Sequence, residues 1–159
     1  MREIKFRAWD NHSEKMLEII QINFRDKYLD YSDLNSENGM RRLLLKEVEL
    51  MQFTNTYDDD KTEIYEGDIM LCDTEDGPCL YQIKFGTTSN DNILTSFYFD
   101  FIRLLDCYVD ISNPDENDGN EKDIELYTKY NPNGENFIVI GNIYENPELL
   151  EVWHGYIAR

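Results

Sequence analysis

Residues 53–70, FTNTYDDDKTEIYEGDIM, hold the pattern that decides the fold of this chain. Six carboxylates lie within eleven positions of this stretch, namely Asp58, Asp59, Asp60, Glu63, Glu66 and Asp68. The first half is polar and predicts a turn, whereas IYEGDI predicts a strand interrupted by Gly67. Because a glycine inside a strand usually marks a bulge or a sharp bend, we expect a bulge at or beside Gly67. One extra residue there would place Ile64 and Ile69 on the same, core-facing side.

The acidic cluster lacks the spacing of a calcium loop. An EF-hand loop starting at Asp58 would need Gly at position 6 and Glu at position 12, where this chain has Glu63 and Ile69. Magnesium needs fewer carboxylates, but its sites normally hold a phosphate substrate, and the sequence contains no glycine-rich phosphate loop. We therefore expect YDDDKT to be a solvated turn, with no metal site and no cofactor.

Acidic residues outnumber basic ones, with 33 Asp plus Glu against 15 Lys plus Arg and a net charge of −18. A field of that sign repels phosphate backbones, whose binding depends largely on cations that displace counterions. Nucleic acid is therefore the less favoured partner, and a basic protein is the better match for this charge.

The sequence predicts a cytoplasmic protein with free thiols. MREIKFRAWD lacks the apolar core of a signal peptide, and no run of about 18 apolar residues is present to cross a membrane. The cysteines Cys72, Cys79 and Cys107 are odd in number and lack zinc-ligand spacing, which favours a reducing compartment.

No catalytic constellation is recognisable, so we predict that the chain is not an enzyme and has no catalytic residues. His12 lies in a predicted turn and His154 in the terminal segment, where surface positions are the simpler interpretation. Pairing of a cysteine with His154 stays open, because such groups can meet in space from distant positions. Carboxylate pairs are too common among 33 acidic residues to indicate glycoside chemistry.

Alternating apolar residues predict an N-terminal hairpin. EIKFRAW (3–9) and MLEIIQINF (16–24) are its strands, and DNHSEK supplies the turn residues between them. Residues 25–40 are polar and predict a loop with at most one helical turn. Residues 48–54 alternate as a strand, although a helical face would also join Leu43, Leu44, Val48 and Met51.

Two further strands are predicted over residues 80–86 and 93–105. The second is rich in aromatic residues, and Phe97, Phe99 and Phe101 share one of its faces. Such a face could be a stacking platform for single-stranded nucleic acid. Because Arg103 is the one basic residue beside it, we favour core packing for these three rings.

The N-terminal hairpin is the one place where aromatic and basic residues interleave. Lys5, Arg7 and Trp9 share one face of the first strand and are the candidate partner-binding residues. The alternative is that Trp9 anchors a core or a subunit contact, which is the commoner role of a tryptophan on a strand.

The C-terminal third begins with the most acidic stretch, residues 106–123, which we predict to be an exposed loop or insertion. A final strand is predicted around Gly141. Asn146 at an N-cap position, followed by Pro147 and Glu148, predicts a short terminal helix. Neither a repeat nor a clear boundary is present, so we expect residues 1–159 to form a single domain.

Several blocks of the chain together resemble the YopX family, small proteins encoded by phages and prophages of chiefly Gram-positive bacteria. The blocks are REIKFRAWD, KMLEI, LMQFT, EIYEGDI and IVIGNIYENPELL, in the order of the family. In the family, Asp59 and Asp60 are commonly replaced by a small turn residue or Lys, which speaks against an inherited metal site. The residues that carry the motif are Ile64, Tyr65, Glu66, Gly67, Asp68, Gly141, Asn142, Asn146 and Pro147.

The resemblance implies a mainly β fold with a small, partly open SH3-like barrel around EIYEGDI, and it implies no reaction. We expect an α+β protein, mainly β, with an N-terminal hairpin and a short C-terminal helix. Its expected role is that of a non-enzymatic phage- or prophage-encoded interaction protein in the bacterial cytoplasm, with an unknown protein partner or as a homo-oligomer. The alternatives are a nucleic-acid-binding barrel and an acidic DNA mimic that inhibits a host nucleic-acid-binding protein.

Overall fold

The computed structural model describes the protein over residues 3–87, 95–105, 107–108, 112–131, 134 and 136–150. The chain divides into two compact units, Met1–Thr56 and Tyr57–Arg159. Both consist mainly of β-strands, and the described residues include one α-helix, which confirms the predicted α+β, mainly β class.

The first unit begins with the predicted hairpin. Its strands, in chain order, are β1 (Phe6–Asp10), β2 (Lys15–Leu17), β3 (Ile19–Asn23), β4 (Tyr28–Ser32), β5 (Met40–Leu44) and β6 (Val48–Tyr57). Strand β1 pairs antiparallel with both β2 and β6. The Asp10 carboxylate closes the hairpin turn, because it accepts hydrogen bonds from His12 N at 2.9 Å and Ser13 Oγ at 2.6 Å. The expected turn chemistry of DNHSEK is confirmed.

Strands β3, β4 and β5 form an antiparallel meander that the sequence did not predict. The expected single strand over 16–24 divides at Glu18, and the loop expected over 25–40 contains β4. The single strand was wrong because the residues before Glu18 pair with β1, whereas those after it pair with β4. The loop was wrong because β4 pairs its polar positions across the sheet. Asp30 on β4 accepts hydrogen bonds from Arg42 on β5 at 2.7 Å and from Gln21 on β3 at 2.6 Å. The predicted strand over 48–54 is confirmed as part of β6.

The second unit contains a four-stranded antiparallel sheet and the α-helix. Its elements are β7 (Glu63–Tyr65), β8 (Asp68–Thr74), β9 (Gly77–Thr87), β10 (Thr95–Leu104), β11 (Cys107–Tyr108), β12 (Asp118–Gly119), α1 (Glu121–Tyr130) and β13 (Phe137–Asn142). The sheet has the order β10-β9-β8-β13. The strands predicted over 80–86, 93–105 and around Gly141 are therefore confirmed, although β10 ends at Leu104 and residues 93–94 lie outside the described residues.

Strand β8 is buried on both faces, which explains its unbroken apolar run. Ile69 and Leu71 belong to a cluster with Tyr127 of α1, whereas Met70 and Cys72 belong to a second cluster with Ile64. A strand covered on both faces carries consecutive apolar residues in place of alternation. Successive side chains of β8 therefore pack in two separate hydrophobic clusters, one on each face of the sheet.

Gly67 interrupts the EIYEGDI strand, but the expected bulge there was wrong. Glu66 and Gly67 form a two-residue turn between β7 and β8, and Gly67 has φ 84°, a conformation that favours glycine. Tyr65 N donates to Asp68 Oδ2 at 2.7 Å and closes this turn. Because the turn redirects the chain, Ile64 and Ile69 pack in separate clusters, so their expected placement on one side was also wrong.

A register shift does occur in this sheet, on β13, which pairs with β8. The pairing of β13 with β8 slips between Val139 and Gly141, opposite Met70 and Ile69. The irregular pairing therefore lies at Ile140, in the IVIGNIY block of the sequence, and not in the EGD block.

The acidic turn before β7 is solvated only in part. Asp60 is exposed, as expected, but Asp58 exposes only 7% of its surface. Its Oδ1 accepts a hydrogen bond from Thr62 N at 2.7 Å, and its Oδ2 accepts one from Val139 N at 3.0 Å. The expectation of a fully solvated turn was wrong at Asp58, because this carboxylate satisfies backbone groups.

Helix α1 was not predicted from the sequence. Asn120 is its N-cap, and its side-chain oxygen accepts hydrogen bonds from Lys122 N at 3.0 Å and Asp123 N at 3.4 Å. The helix begins inside the predicted acidic loop over 106–123. The described residues of that loop also include β11, β12 and a 3-10 turn at Pro114–Glu116, and most of them are exposed.

The predicted terminal helix begins where expected. A 3-10 turn spans Pro147–Leu150, and Asn146 precedes it. The rest of the predicted helix, from residue 151 onward, lies outside the described residues.

Candidate functional site

The described residues do not assemble a metal site. Over these residues, no group of three or more His, Cys, Asp or Glu side chains could hold a metal ion. His12 lies exposed in the β1–β2 turn, and His154 lies outside the described residues. The alternative of a Cys–His pair that uses His154 therefore stays untested.

The cysteines are free, and two of them are buried opposite each other. Cys72 on β8 pairs with Cys79 on β9 in the register of the sheet. Burial, followed by the neighbouring Cys79 and Asp59, raises the pKa of Cys72 to about 12. Because the thiolate is the nucleophilic form, this environment makes Cys72 unreactive near neutral pH.

The candidate partner-binding residues Lys5, Arg7 and Trp9 differ in accessibility, and Lys5 precedes β1, to which the other two belong. Trp9 exposes only 9% of its surface. Arg7 is half-buried, and its Nε donates to Met51 Sδ at 3.4 Å. Lys5 is also half-buried. A partner could stack on Trp9 only if the surrounding side chains moved.

The second unit has a surface that is accessible and rich in aromatic residues. We call it the aromatic face; it consists of Tyr81, Phe85, Phe97, Phe99, Phe101 and Phe137. Across β9 and β10, Phe97 pairs with Phe85 and Phe101 pairs with Tyr81. Because side chains alternate along a strand, this register places all these rings on one side of the sheet.

The rings of the aromatic face contact one another in tilted and edge-to-face pairs. The ring centroids are 4.9 Å apart for Phe85 and Phe97, and 5.6 Å apart for Tyr81 and Phe101. Phe99 lies 5.9 Å from Tyr81. Such pairs are favourable beyond the area they bury, so the rings hold each other in place.

The expected core packing of this face was wrong for two of its rings. Phe99 is 50% exposed and Phe101 is 58% exposed. Phe97 is half-buried and packs against the cluster of Ile64, Met70, Cys72 and Ile83. The prediction that the three rings share a face was correct. Phe99 and Phe101, however, are left exposed by the described residues, because they lie on β10, the first strand of the sheet.

The sheet curls toward the aromatic face. Strands β10 and β13 are the first and last of four, and in a flat sheet they would lie about 14 Å apart. Phe99 on β10 and Phe137 on β13 nevertheless have ring centroids only 5.3 Å apart. Since side chains stand roughly perpendicular to a sheet, the sheet must bend to bring these rings together. The aromatic face is thus concave, in keeping with the expected partly open barrel.

A carboxylate borders the aromatic face at Phe137. Asp59 N donates to Phe137 O at 3.0 Å, and Asp59 Oδ2 accepts a hydrogen bond from Asn136 N at 3.2 Å. Asp59 is exposed. The edge of the face beside Phe137 therefore carries negative charge.

The GNIYENP block forms a compact loop built on two asparagines. Asn142 Oδ1 accepts hydrogen bonds from Tyr144 N at 3.1 Å and Glu145 N at 2.9 Å. Asn146 Oδ1 turns back and accepts from Asn142 N at 3.3 Å, beside Gly141. These motif residues thus share a structural task, as do Tyr65 and Asp68 at the other turn.

The sequence model of the YopX protein family matches residues 5–151, and the chain belongs to this family. The fold is similar to the crystal structure of protein EF1440 from Enterococcus faecalis, with a TM-score of 0.53 and 23% identity over 95% of this chain and 100% of that chain. At this identity the likeness concerns the fold alone. The comparison with curated proteins gave no match.

Among the described residues, no helix has the length and apolar character needed to cross a membrane.

The sequence does contain a signal for the aromatic face, although its pattern favours core packing of the rings over exposure. Alternation in SFYFDF identified the shared side of Phe97, Phe99 and Phe101, and YQIKF carries the matching Tyr81 and Phe85. Whether that side is covered depends on contacts between distant segments, which a strand pattern does not encode.

Proposed function

We propose that this chain is a phage- or prophage-encoded accessory protein that binds another protein in the cytoplasm of a bacterial host and catalyses no reaction. The observation that carries the proposal is the exposure of Phe99 and Phe101 on the aromatic face. Contiguous exposed aromatic residues mark interaction sites, because large rings left in water gain free energy when a partner covers them.

Charge supports a protein partner over a nucleic acid. The net charge of −18 and the position of Asp59 beside Phe137 disfavour phosphates and favour a basic protein surface. A nucleic-acid-binding barrel that uses the N-terminal hairpin would need Trp9 at the surface for stacking, but Trp9 is buried. An acidic DNA mimic would bind its partner through carboxylates, so that binding would not depend on the aromatic rings.

The test is affinity capture from bacterial lysates, with and without phage infection, using three forms of the protein. These are the wild type, the Phe99→Ser/Phe101→Ser variant and Phe24→Ser, a matched control in the first unit that removes a ring with 62% exposure. We expect a host or phage protein to bind the wild type and the control, and to be lost with the double variant.

Two results would contradict the proposal. One is a lysate from which the wild type retains nothing above an unrelated protein of the same charge. The other is a low-salt gel shift in which the wild type retards single- or double-stranded DNA or RNA, which would favour the nucleic-acid-binding alternative. Retention that is equal in all three forms but disappears at high salt would favour the DNA mimic.

A further inference from the structure

The strand that carries the exposed rings has a strand neighbour on one side only, among the described residues. Strand β10 is the first in the sheet order and pairs with β9. An edge strand presents a row of backbone donors and acceptors that can pair with another chain. Ordinary edges are short or charged, whereas β10 spans Thr95–Leu104 and exposes aromatic side chains.

We propose that an extended segment of a partner protein adds to the outer edge of β10 as a further strand of the sheet. Apolar side chains at alternate positions of that segment pack on Phe99 and Phe101, and Lys or Arg side chains occupy other positions. The inference rests on the proposed protein-binding function, and it specifies how the partner binds and what chemistry it presents.

The register of β10 limits where the added strand can pair. From Thr95 to Phe101 the pairing with β9 is regular, and a register shift follows between Phe101 and Arg103. A bulge bends an edge and interrupts further pairing. The added strand therefore pairs on the N-terminal side of this shift, along a segment that includes Tyr98–Phe101 and carries both exposed rings.

The same segment explains the apolar positions of the partner. In a sheet, directly opposed residues on one face have Cβ atoms about 5 Å apart, so rings on an edge strand are neighbours of the next strand's side chains. Phe99 and Phe101 lie on one face of β10 and would each meet an alternate residue of the added strand. Main-chain pairing supplies affinity in this binding mode, and the side-chain contacts supply specificity.

The charge around the sheet favours a basic segment. Strands β8, β9, β10 and β13 contain only two basic residues, Lys84 and Arg103. Lys84 is paired with Asp100. Asp59 lies beside Phe137 of the aromatic face, and the whole chain carries −18. A second copy of the chain, or a nucleic acid, would bring further negative charge to this edge.

The experiment uses a short synthetic peptide that alternates valine and lysine, titrated onto the full-length protein by isothermal calorimetry. A second peptide has the same side chains but N-methyl groups on its backbone nitrogens, which removes its donors. A third replaces lysine with glutamate. We expect the first peptide to bind, the N-methylated peptide to bind at least about tenfold more weakly, and the glutamate peptide not to bind.

Variants of the protein locate the site. We expect Phe99→Ser and Phe101→Ser each to weaken binding of the valine–lysine peptide by about tenfold or more, and Phe24→Ser to leave it unchanged. Circular dichroism and urea unfolding check that the variants fold. Backbone amides of Tyr98–Phe101 should gain protection from hydrogen exchange when the peptide is bound, while those of β4 should not.

Several results would overturn the inference. If N-methylation leaves the affinity unchanged while Phe99→Ser abolishes it, a partner docks on the rings without adding a strand, and the proposed function survives alone. No binding of the valine–lysine peptide would also overturn it. So would a wild-type dimer that Phe99→Ser dissociates, or a single-stranded oligonucleotide whose binding needs Phe99, since either occupant would replace the basic segment.

Discussion

The carboxylate of Asp58 accepts a hydrogen bond from the backbone N–H of Val139, at 3.0 Å and across 81 positions of sequence. The neighbouring residue adds to this link, because Asp59 N donates to Phe137 O at 3.0 Å and Asp59 Oδ2 accepts from Asn136 N at 3.2 Å. The acidic turn thus pairs with the backbone of β13. Asp58 and Asp59, the first two aspartates of the turn, therefore accept hydrogen bonds from backbone N–H groups. The alternative interpretation of these residues was a cluster of metal ligands.

Replacing Asp58 should destabilise the protein more than replacing its exposed neighbour. Asp58→Ala removes two hydrogen bonds from a buried carboxylate and leaves Val139 N without its acceptor, which should lower the free energy of unfolding by about 2–3 kcal/mol. Asp60→Ala should change it by less than about 0.5 kcal/mol. Urea unfolding at neutral pH measures both; equal effects would show that the buried carboxylate has no special role.

Gly141 should not tolerate a side chain. A Cβ at this position would lie 2.7 Å from Asn146 Cγ, so the Asn146 side chain would have to leave Asn142 N. We expect Gly141→Ala to cost about 1–3 kcal/mol of stability. Gly86→Ala is the control, because its Cβ would meet Tyr98 at an ordinary 3.5 Å. Thermal unfolding in which both variants melt with the wild type would contradict the proposed contact.

Tyr127 should couple stability to alkaline pH. Burial, followed by the hydrogen bond that its hydroxyl donates to Asp73 at 2.9 Å, raises the pKa of Tyr127 to about 12 from an ordinary 10.0. Its neutral form is favoured in the folded state, so this contribution is complete below pH 10.0 and is lost as pH rises to about 12. The stability of wild type should therefore fall over this range more steeply than that of Tyr127→Phe.

Absorbance at 295 nm would follow the tyrosine titration directly in the wild type and the Phe variant. A variant that loses stability with the same alkaline slope as the wild type would contradict the assignment to Tyr127. At neutral pH the same variant should be less stable by about 1 kcal/mol, since it lacks one hydrogen bond.

The pairing of Arg42 with Asp30 should stabilise the meander of the first unit in a pH-dependent way. Arg42 donates from Nε and Nη2 to the two carboxylate oxygens at 2.7 and 2.9 Å, and this lowers the pKa of Asp30 below its ordinary 3.8. A lowered pKa contributes stability that is present above 3.8 and is lost as pH falls through the folded-state value.

Arg42→Lys should therefore lower the urea midpoint at pH 7, because lysine cannot form the two parallel bonds. The difference from wild type should shrink below pH 3.8. Arg41→Lys is the matched control, since the more exposed Arg41 contacts Asp33 through Nε. A difference that persists unchanged in acid would show that the Asp30 charge is not involved.

Local chemistry made several elements predictable from the sequence. The turn residues of DNHSEK and the alternation of EIKFRAW fixed the hairpin of β1 and β2. The break at Gly67 was visible because glycine favours the positive φ that the turn requires, although a turn and a bulge have the same local signature.

Other features could not be predicted, because they depend on partners far along the chain. Strand β4 looked like a loop, since its polar residues become acceptable in a strand only when Arg42 and Gln21 pair with Asp30. Asp58 looked solvated, since Val139 reaches it only after β13 joins the sheet. The Asn120 cap of α1 was present in the sequence, but the acidic stretch before it obscured the start of the helix.

By itself, the sequence determined which side chains share a face and where the chain must turn. Those properties follow from the two-residue period of a strand and from the backbone preferences of single residues. The tertiary structure decided which faces are covered, because burial depends on what distant segments pack there. Phe97, Phe99 and Phe101 show the division: alternation put them on one side of β10, and only the fold left the outer two rings exposed.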